Sequence, residues 1–241
     1  MLKSYSKINL SLRVIKKMKN GLHDIQSNFF LISLYDDIKI KKINSKKDTI
    51  IFRGAFSKRI NKRINTVTKT LKLLRSTKLI VDNYRITVHK KIPSFSGLGG
   101  GTGNAAAILK FFLKKKDIEK NIIKFEKEIG SDLRLFFFKQ AFQRNLINIV
   151  KYKKKYKFYA TIVFPRLNCS TKQIYSKVKK YSRPSKADFS RINDKSQSNF
   201  IQFLKYEKND LQDIVLKKYP IIAKIIDLIS IQKGCVFSRL T

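Results

Sequence analysis

Apolar and polar positions alternate most regularly over residues 84–91. Tyr84, Ile86 and Val88 fall on one face there, with polar or charged residues between them. A period of two residues predicts a strand. Less regular alternation and short apolar runs next to turn residues predict further strands. The predicted strands are Lys7–Ile15, Phe29–Leu34, Asp37–Ile43, Tyr84–Lys91, Phe158–Phe164 and Cys235–Leu240.

Apolar residues three to four positions apart predict the helices, because that spacing lines one helical face. Asn104 is placed to cap one helix, and Gly130 to end the next. The predicted helices are Asn65–Arg75, Asn104–Lys114, Ile118–Ile129, Lys172–Lys180 and Leu211–Ile229. The polar stretch 181–198, which contains Pro184, predicts an exposed loop. Strands and helices without strict alternation favour an α+β fold in two lobes, divided near 145–157.

Lysine and arginine outnumber acidic residues by 54 to 16, which gives a formal net charge of +38. Such a charge attracts nucleic acid non-specifically, so a nucleic-acid-binding protein is one alternative. The basic residues are spread along the whole chain, however, and they accompany abundant Ile, Asn and Phe, which share A/T-rich codons with Lys. We therefore attribute the charge to biased composition and expect no specific nucleic-acid partner.

Cysteine and histidine usage gives no sign of a metal site or a disulfide framework. Cys169 and Cys235 lack CxxC spacing, and the two histidines, His23 and His89, are far apart. The most apolar late stretch, 220–230, is interrupted by charged residues, so we expect no membrane span. These features predict a reduced, cytoplasmic protein.

Five of the nine glycines fall within residues 97–103, between a predicted strand and a predicted helix. Glycine permits positive φ and lets the backbone approach a ligand closely. The unpaired amides of the following helical turn, reinforced by the helix dipole, are donors to an anion. The segment therefore predicts a polyphosphate site.

The type of phosphate loop follows from what surrounds the glycines. No Lys-Ser/Thr follows them, which excludes a Walker A loop, and Thr102 or Asn104 stands where a dinucleotide loop needs its last Gly. Residues 93–106 read Pro-Ser-Phe-Ser-Gly-Leu-Gly-Gly-Gly-Thr-Gly-Asn-Ala-Ala. They closely resemble the Pro-x3-Gly-Leu-Gly-Gly-Gly-Ser-Ser-Asn-Ala-Ala loop of the diphosphocytidyl-methylerythritol kinases, which belong to the GHMP kinase superfamily.

Further motifs of that family follow in the family's order over nearly the whole chain. They are Ser6–Leu10, Asn20–Ile25, Gly130–Phe136, Pro165–Tyr175 and Asn209–Leu211. The resemblance implies the two-lobed GHMP kinase fold. Its N-terminal ATP- and substrate-binding domain, like ribosomal protein S5 domain 2, would cover residues 1–150. Its ferredoxin-like C-terminal domain would cover residues 151–241.

The resemblance also implies roles for individual residues. Asp132 matches the catalytic base and Lys7 its partner, and a nearby carboxylate suits a hydroxyl that must lose its proton as it attacks phosphorus. Asn9 and His23 match residues that hydrogen-bond the cytidine group, and Tyr175 matches the ring that stacks on its base. The implied nucleotide contacts are Pro93, Ser94, Phe95, Ser96, Gly97, Leu98, Gly99, Gly100, Gly101, Thr102 and Gly103.

The implied reaction is ATP-dependent phosphorylation of the 2-hydroxyl of the diphosphocytidyl-methylerythritol substrate, in the non-mevalonate isoprenoid pathway. Mg²⁺ is expected with the ATP, without a metal site of the protein's own. The partner is a small-molecule substrate, and the protein is expected to be a monomer or homodimer. The alternatives are another GHMP kinase, of the homoserine or mevalonate type, and the nucleic-acid-binding protein considered above.

Four departures from the family pattern bear on these expectations. Leu22 replaces an aromatic residue, Gly103 replaces the second loop Ser, and Arg134 replaces a Pro after the base. Arg134 either adds a cation near the reacting phosphates or points to solvent. The sequence also stops at Thr241, before the family's third motif, a Gly-Ser-Gly run. This predicts an incomplete C-terminal domain.

Overall fold

The computed structural model describes residues 1–167, 169–185 and 196–241. Contacts between Cα atoms divide the chain into two compact units. The first unit comprises Met1–Lys7 and Leu31–Lys139, and the second Ile8–Phe30 and Gln140–Thr241. These units group Ile8–Phe30 with the C-terminal residues, whereas the family domains predicted at 1–150 and 151–241 follow the chain. That domain division stays a prediction.

The first unit packs helices on a sheet. Its elements are residues 2–7 of β1 (Leu2–Lys17), the second half of β2 (His23–Ile43), β3 (Thr49–Arg53), α1 (Thr66–Ser76), β4 (Asn83–His89), α2 (Gly100–Phe112), α3 (Lys115–Ile129) and a 3-10 helix (Leu133–Phe137). β4 pairs antiparallel with β2, with Ile38 opposite Val88, and parallel with β3. Apolar residues of the sheet and of the three α-helices form one buried core.

The second unit contains residues 8–17 of β1, the first half of β2, β5 (Gln140–Gln143), β6 (Ile149–Lys151), α4 (Thr171–Tyr175), α5 (Gln197–Tyr206), α6 (Gln212–Lys218) and α7 (Ile221–Ser230). β5 pairs antiparallel with β2 and with β6. Phe200 of α5 is fully buried, and its ring stacks on Tyr156 at 4.0 Å between centroids. A second cluster joins Leu12, Val14 and Leu211.

Two predicted helices are confirmed closely. The N-cap of α1 is Asn65, whose side chain accepts the N–H of Thr68 at 2.9 Å. Gly130 ends α3, as predicted, and its N–H donates a hydrogen bond to the carbonyl oxygen of Glu126. The predicted helix at Lys172–Lys180 is shorter and lies at Thr171–Tyr175.

Two other helix predictions were wrong in their bounds. The helix predicted at Leu211–Ile229 is two helices separated at Tyr219-Pro220, because proline has no N–H to continue the first of them. The predicted cap at Asn104 was wrong, since α2 begins four residues earlier and Asn104 is buried within it. Glycine's low helix propensity made the turn at Gly100 look like part of the loop.

The strand predictions needed larger corrections. Phe29–Leu34 and Asp37–Ile43 belong to one continuous strand. Phe158–Phe164 and Cys235–Leu240 form no strand. Phe158 instead packs its ring edge-on against Phe30 at 5.2 Å, which shows that apolar side chains can be half-buried without strand pairing. The short strands β3, β5 and β6 were missed, and most of the loop predicted at 181–198 lies outside the described residues.

Within the described ranges, no helix is both long and apolar enough to cross a membrane.

Candidate active site

The glycine loop of the first unit joins β4 to α2. Gly97 and Gly99 have φ of +79° and +66°, in the left-handed region that favours glycine. Gly99 occupies the N-cap position of α2, and the first N–H that bonds within the helix is that of Gly103, to the Gly99 carbonyl. The preceding amides of α2 have no carbonyl of the helix to bond. This geometry suits a phosphate group.

The loop is held from several sides. A Cβ at Gly99 would lie 2.6 Å from Cζ of Phe136, in the 3-10 helix. The Thr66 hydroxyl donates to the Gly101 carbonyl at 2.8 Å. Phe95 has a φ of +59° and a side chain that is 62% exposed. A bulky residue in that backbone region is strained, and such strain is found mainly at functional sites.

Gly103, where the related kinases have Ser, is buried against the first strand. A Cβ there would lie 2.9 Å from the Tyr5 carbonyl oxygen, 3.0 Å from Cε1 of Phe136 and 3.1 Å from Oγ of Ser4. A side chain at this position would therefore crowd the first strand and the Phe136 ring.

We expect Gly103→Ser to destabilise the protein by roughly 1–3 kcal/mol, because it overpacks a filled site. The free energy of unfolding from urea denaturation measures the loss. Gly101→Ser, in the same turn of α2, is the matched control, since its nearest neighbour is the Thr66 hydroxyl at 3.3 Å. Equal free energies of unfolding for the two variants would show that the close contacts at Gly103 do not destabilise Gly103→Ser.

Lys7 and Asp132 lie together in the first unit, beside the glycine loop. The Nζ of Lys7 is 3.8 Å from Oδ2 of Asp132, and their side chains are 3% and 43% exposed. The Lys7 N–H donates to the Leu98 carbonyl at 3.0 Å, which ties β1 to the loop. Asp132 follows Gly130, where an added Cβ would lie 3.9 Å from Oγ1 of Thr102. The structure thus places a buried cation and an accessible carboxylate next to the glycine loop.

Arg134, which stands where the family pattern has Pro, forms an ion pair with Glu126 of α3. Its guanidinium binds both carboxylate oxygens of Glu126, at 2.9 and 2.8 Å. The hydrogen bonds to Glu126 raise the pKa of Arg134. The pair joins α3 to the 3-10 helix that follows Asp132, so we assign Arg134 a structural contact there.

Three predicted substrate residues lie in the second unit. The rings of His23 and Tyr175 are 5.1 Å apart between centroids and tilted by 32°. Burial, and then the charge of Lys17, lower the pKa of His23, which favours a neutral imidazole that can both donate and accept a hydrogen bond. The Asn9 Oδ1 accepts the Ser27 hydroxyl at 2.9 Å.

Sequence reasoning missed one aromatic neighbour of this pair. The Tyr181 ring lies 6.5 Å from that of His23, but Tyr181 begins a polar stretch that predicted only a loop. Leu22, next to His23, is 43% exposed, so an aliphatic side chain is available where related kinases have an aromatic one.

Comparisons with known proteins show which family the chain resembles. The sequence pattern of the GHMP kinases N terminal domain matches residues 65–137. The 4-diphosphocytidyl-2-C-methyl-D-erythritol kinase of Pelagibacter ubique is 41% identical over 247 residues, which cover 100% of this chain and 85% of that protein.

Two solved structures resemble the fold. A 4-(cytidine 5'-diphospho)-2C-methyl-D-erythritol kinase matches with a TM-score of 0.65 and 20% identity, over 93% of this chain and 80% of that one. The homoserine kinase from Cytophaga hutchinsonii matches with a TM-score of 0.68 and 16% identity, over 98% and 79%. These structural similarities confirm the predicted GHMP kinase fold. The 41% identity to the Pelagibacter kinase shows which family of GHMP kinases the chain belongs to. The chain belongs to the 4-diphosphocytidyl-2-C-methyl-D-erythritol kinase family of the GHMP kinases.

Proposed function

We propose that the protein transfers the γ-phosphoryl group of ATP to the 2-hydroxyl of 4-diphosphocytidyl-2-C-methyl-D-erythritol, in the non-mevalonate (MEP) isoprenoid precursor pathway. The observation that carries the proposal is the Lys7–Asp132 pair, in which Nζ of Lys7 lies 3.8 Å from Oδ2 of Asp132. The pair lies beside the glycine loop, to which the backbone N–H of Lys7 donates a hydrogen bond. A homoserine- or mevalonate-type kinase shares the fold, but the 41% identity to the Pelagibacter kinase favours the cytidine substrate.

The residues present suit a direct phosphoryl transfer. Asp132 accepts the proton of the 2-hydroxyl while that oxygen bonds to the γ-phosphorus. The bond from phosphorus to the bridging oxygen breaks, and ADP leaves. The Lys7 ammonium and the amides at the start of α2 offset the negative charge on the transferring group. Catalysis thus depends mainly on positioning and on charge stabilisation.

Mg²⁺ is expected with the nucleotide. Nowhere in residues 1–167, 169–185 and 196–241 do three His, Cys, Asp or Glu side chains cluster as metal ligands. We therefore propose that phosphate oxygens and water supply most of its ligands, as is usual for Mg²⁺ at nucleotide sites. A cytoplasmic location and a monomeric or homodimeric state stay predictions from the sequence.

A coupled assay of ADP release tests the proposed reaction. Release should require 4-diphosphocytidyl-2-C-methyl-D-erythritol and should not occur with homoserine or mevalonate. Phosphorylation of either of those two at a comparable rate would overturn the substrate assignment. Tight binding to duplex or single-stranded nucleic acid at moderate salt, with a steep salt dependence, would instead favour the nucleic-acid alternative.

The cytidine end of the substrate is assigned to the second unit. We propose that Tyr175 stacks on the cytosine, and that His23 and Asn9 hydrogen-bond the cytidine group. The 5.1 Å approach of the His23 and Tyr175 rings brings a flat apolar surface and a polar ring together, which suits a nucleobase.

Tyr175→Ala is expected to raise KM for the cytidine substrate with little change in kcat. Loss of one base stack costs roughly 1–3 kcal/mol, and the base takes no part in the bond changes at phosphorus. Steady-state kinetics at saturating ATP measure the effect. Tyr206→Ala is the control, because Tyr206 lies in the same unit and is 84% exposed. If both variants kept the wild-type KM, Tyr175 would not be part of the base site.

A further inference from the structure

Asp36, in β2, is a fully buried carboxylate of the first unit. Its Oδ1 accepts the N–H groups of Lys91 and Ile92, at 2.8 and 2.9 Å. Those two residues immediately precede Pro93, the first residue of the glycine loop. Asp36 therefore fixes the backbone that leads into the loop.

The other oxygen of Asp36 reaches the segment that follows the loop. The amide of buried Asn104 lies against three acceptors, and its two N–H groups are satisfied when its nitrogen faces them, 3.0 Å from Asp36 Oδ2, 2.8 Å from Ser4 Oγ and 3.2 Å from the Gly100 carbonyl oxygen. Asn104 and Gly100 both lie in α2, where the phosphate-binding amides begin. One carboxylate thus connects both flanks of the loop.

Lys90 supplies the countercharge. Its ammonium forms an ion pair with Asp36 Oδ2, and its side chain is 4% exposed. The Lys90 Nζ lies 3.2 Å from where a Cβ on Gly100 would stand, so the positive charge lies directly behind the first residue of α2. Burial lowers the pKa of Lys90, and Asp36 opposes that effect.

Stability alone does not account for this arrangement. A buried ion pair is often no more stabilising than well-packed apolar residues of similar volume, because both charges lose their hydration. The hydrogen bonds of Asp36 instead fix the positions of two backbone segments, the start of the loop and the start of α2. Anion recognition by backbone amides requires that kind of fixed geometry.

We infer that Asp36 and Lys90 are positioning residues for nucleotide binding, which hold the glycine loop and the start of α2 in the geometry that accepts the phosphates of ATP. This inference rests on the proposed kinase function. It assigns a role to two buried residues.

The test is ATP binding in the presence of Mg²⁺, measured by calorimetry on Asp36→Asn. Asn keeps one acceptor for Lys91 and Ile92 but turns an NH₂ group towards Lys90 and Asn104. We expect the Kd for ATP to rise roughly tenfold, as is typical when a supporting group of a binding site is lost. KM for the cytidine substrate should stay within about twofold, because its base is assigned to the second unit.

Asp48→Asn separates positioning from general destabilisation. Asp48, in the same unit, accepts from the Arg75 guanidinium at 2.9 and 3.1 Å and from the Tyr84 N–H at 2.9 Å. Its loss should lower Tm without changing the Kd for ATP. If Asp36→Asn also lowered Tm but bound ATP as tightly as the wild type, the inference would be overturned.

A second variant keeps the test decisive if Asp36→Asn does not fold. Asp36→Asn combined with Lys90→Met removes both buried charges and should fold, yet it should show the same weakened ATP binding. Wild-type affinity in this double variant would overturn the inference as well. A wild-type protein that binds no ATP would overturn the proposed function itself, a result distinct from equal binding by wild type and variant.

Discussion

Asp132→Asn is expected to lower kcat by roughly a hundredfold to ten-thousandfold, the usual contribution of a positioned general base. Asn has nearly the same shape but cannot accept the hydroxyl proton. Because the Asp132 side chain is 43% exposed, the substitution leaves little packing to disturb. KM for ATP and for the cytidine substrate should therefore change little, and stopped assays of ADP release measure kcat directly.

Glu119→Gln is the matched control for this change. Glu119 also lies in the first unit, its side chain is 65% exposed, and it lies 3.6 Å from the ammonium of Lys115. Neutralising it removes the same charge away from the loop and should leave kcat unchanged. A wild-type kcat in Asp132→Asn would exclude Asp132 as the base, whereas equal losses in both variants would indicate a non-specific effect of charge.

The phosphate loop could be predicted from the sequence because its signal is local. Five glycines within residues 97–103 constrain the backbone whatever surrounds them, and two of them do adopt positive φ of +79° and +66°. The approach of Lys7 to Asp132 is different, since 124 residues separate them in the chain. Only the resemblance to a known family predicted that pair.

The failures of sequence reasoning share a physical cause. An alternation of apolar residues indicates that side chains are buried, but it does not show that the backbone forms a strand. Phe158, for example, packs against Phe30 without belonging to a strand. Helix propensity misplaced the start of α2, because the structure uses Gly100 there for close approach to Ile92, whose Cγ2 would lie 3.0 Å from an added Cβ.

Burial of charged residues could not be predicted at all. The chain has 54 lysines and arginines, and nothing local distinguishes Lys90, which is 4% exposed, from a surface lysine. Asp36 likewise falls between the two strands predicted at Phe29–Leu34 and Asp37–Ile43. Its burial follows from the continuous strand β2, which carries it beneath the glycine loop.

Lys7→Met is expected to lower kcat by roughly a hundredfold to a thousandfold, the cost of removing one group that stabilises transition-state charge. The free energy of unfolding, in contrast, should not fall. The Lys7 side chain is only 3% exposed, whereas that of its partner Asp132 is 43% exposed, so removing the buried ammonium group leaves a carboxylate that is still in contact with water. The free energy of unfolding should therefore be unchanged or higher by about 1 kcal/mol. Lys39→Met, at an exposed position of β2, should change neither quantity.

Combining Lys7→Met with Asp132→Asn tests whether the two residues act as a unit. If Lys7 assists the same proton and phosphoryl transfer that Asp132 begins, the double variant should be no slower than Asp132→Asn alone, because groups that act together are strongly non-additive. Losses that multiplied would instead mean that Lys7 and Asp132 contribute independently, in spite of the 3.8 Å between them. Stable folding of Lys7→Met with a low kcat would show that the buried cation is retained for the reaction and not for the fold.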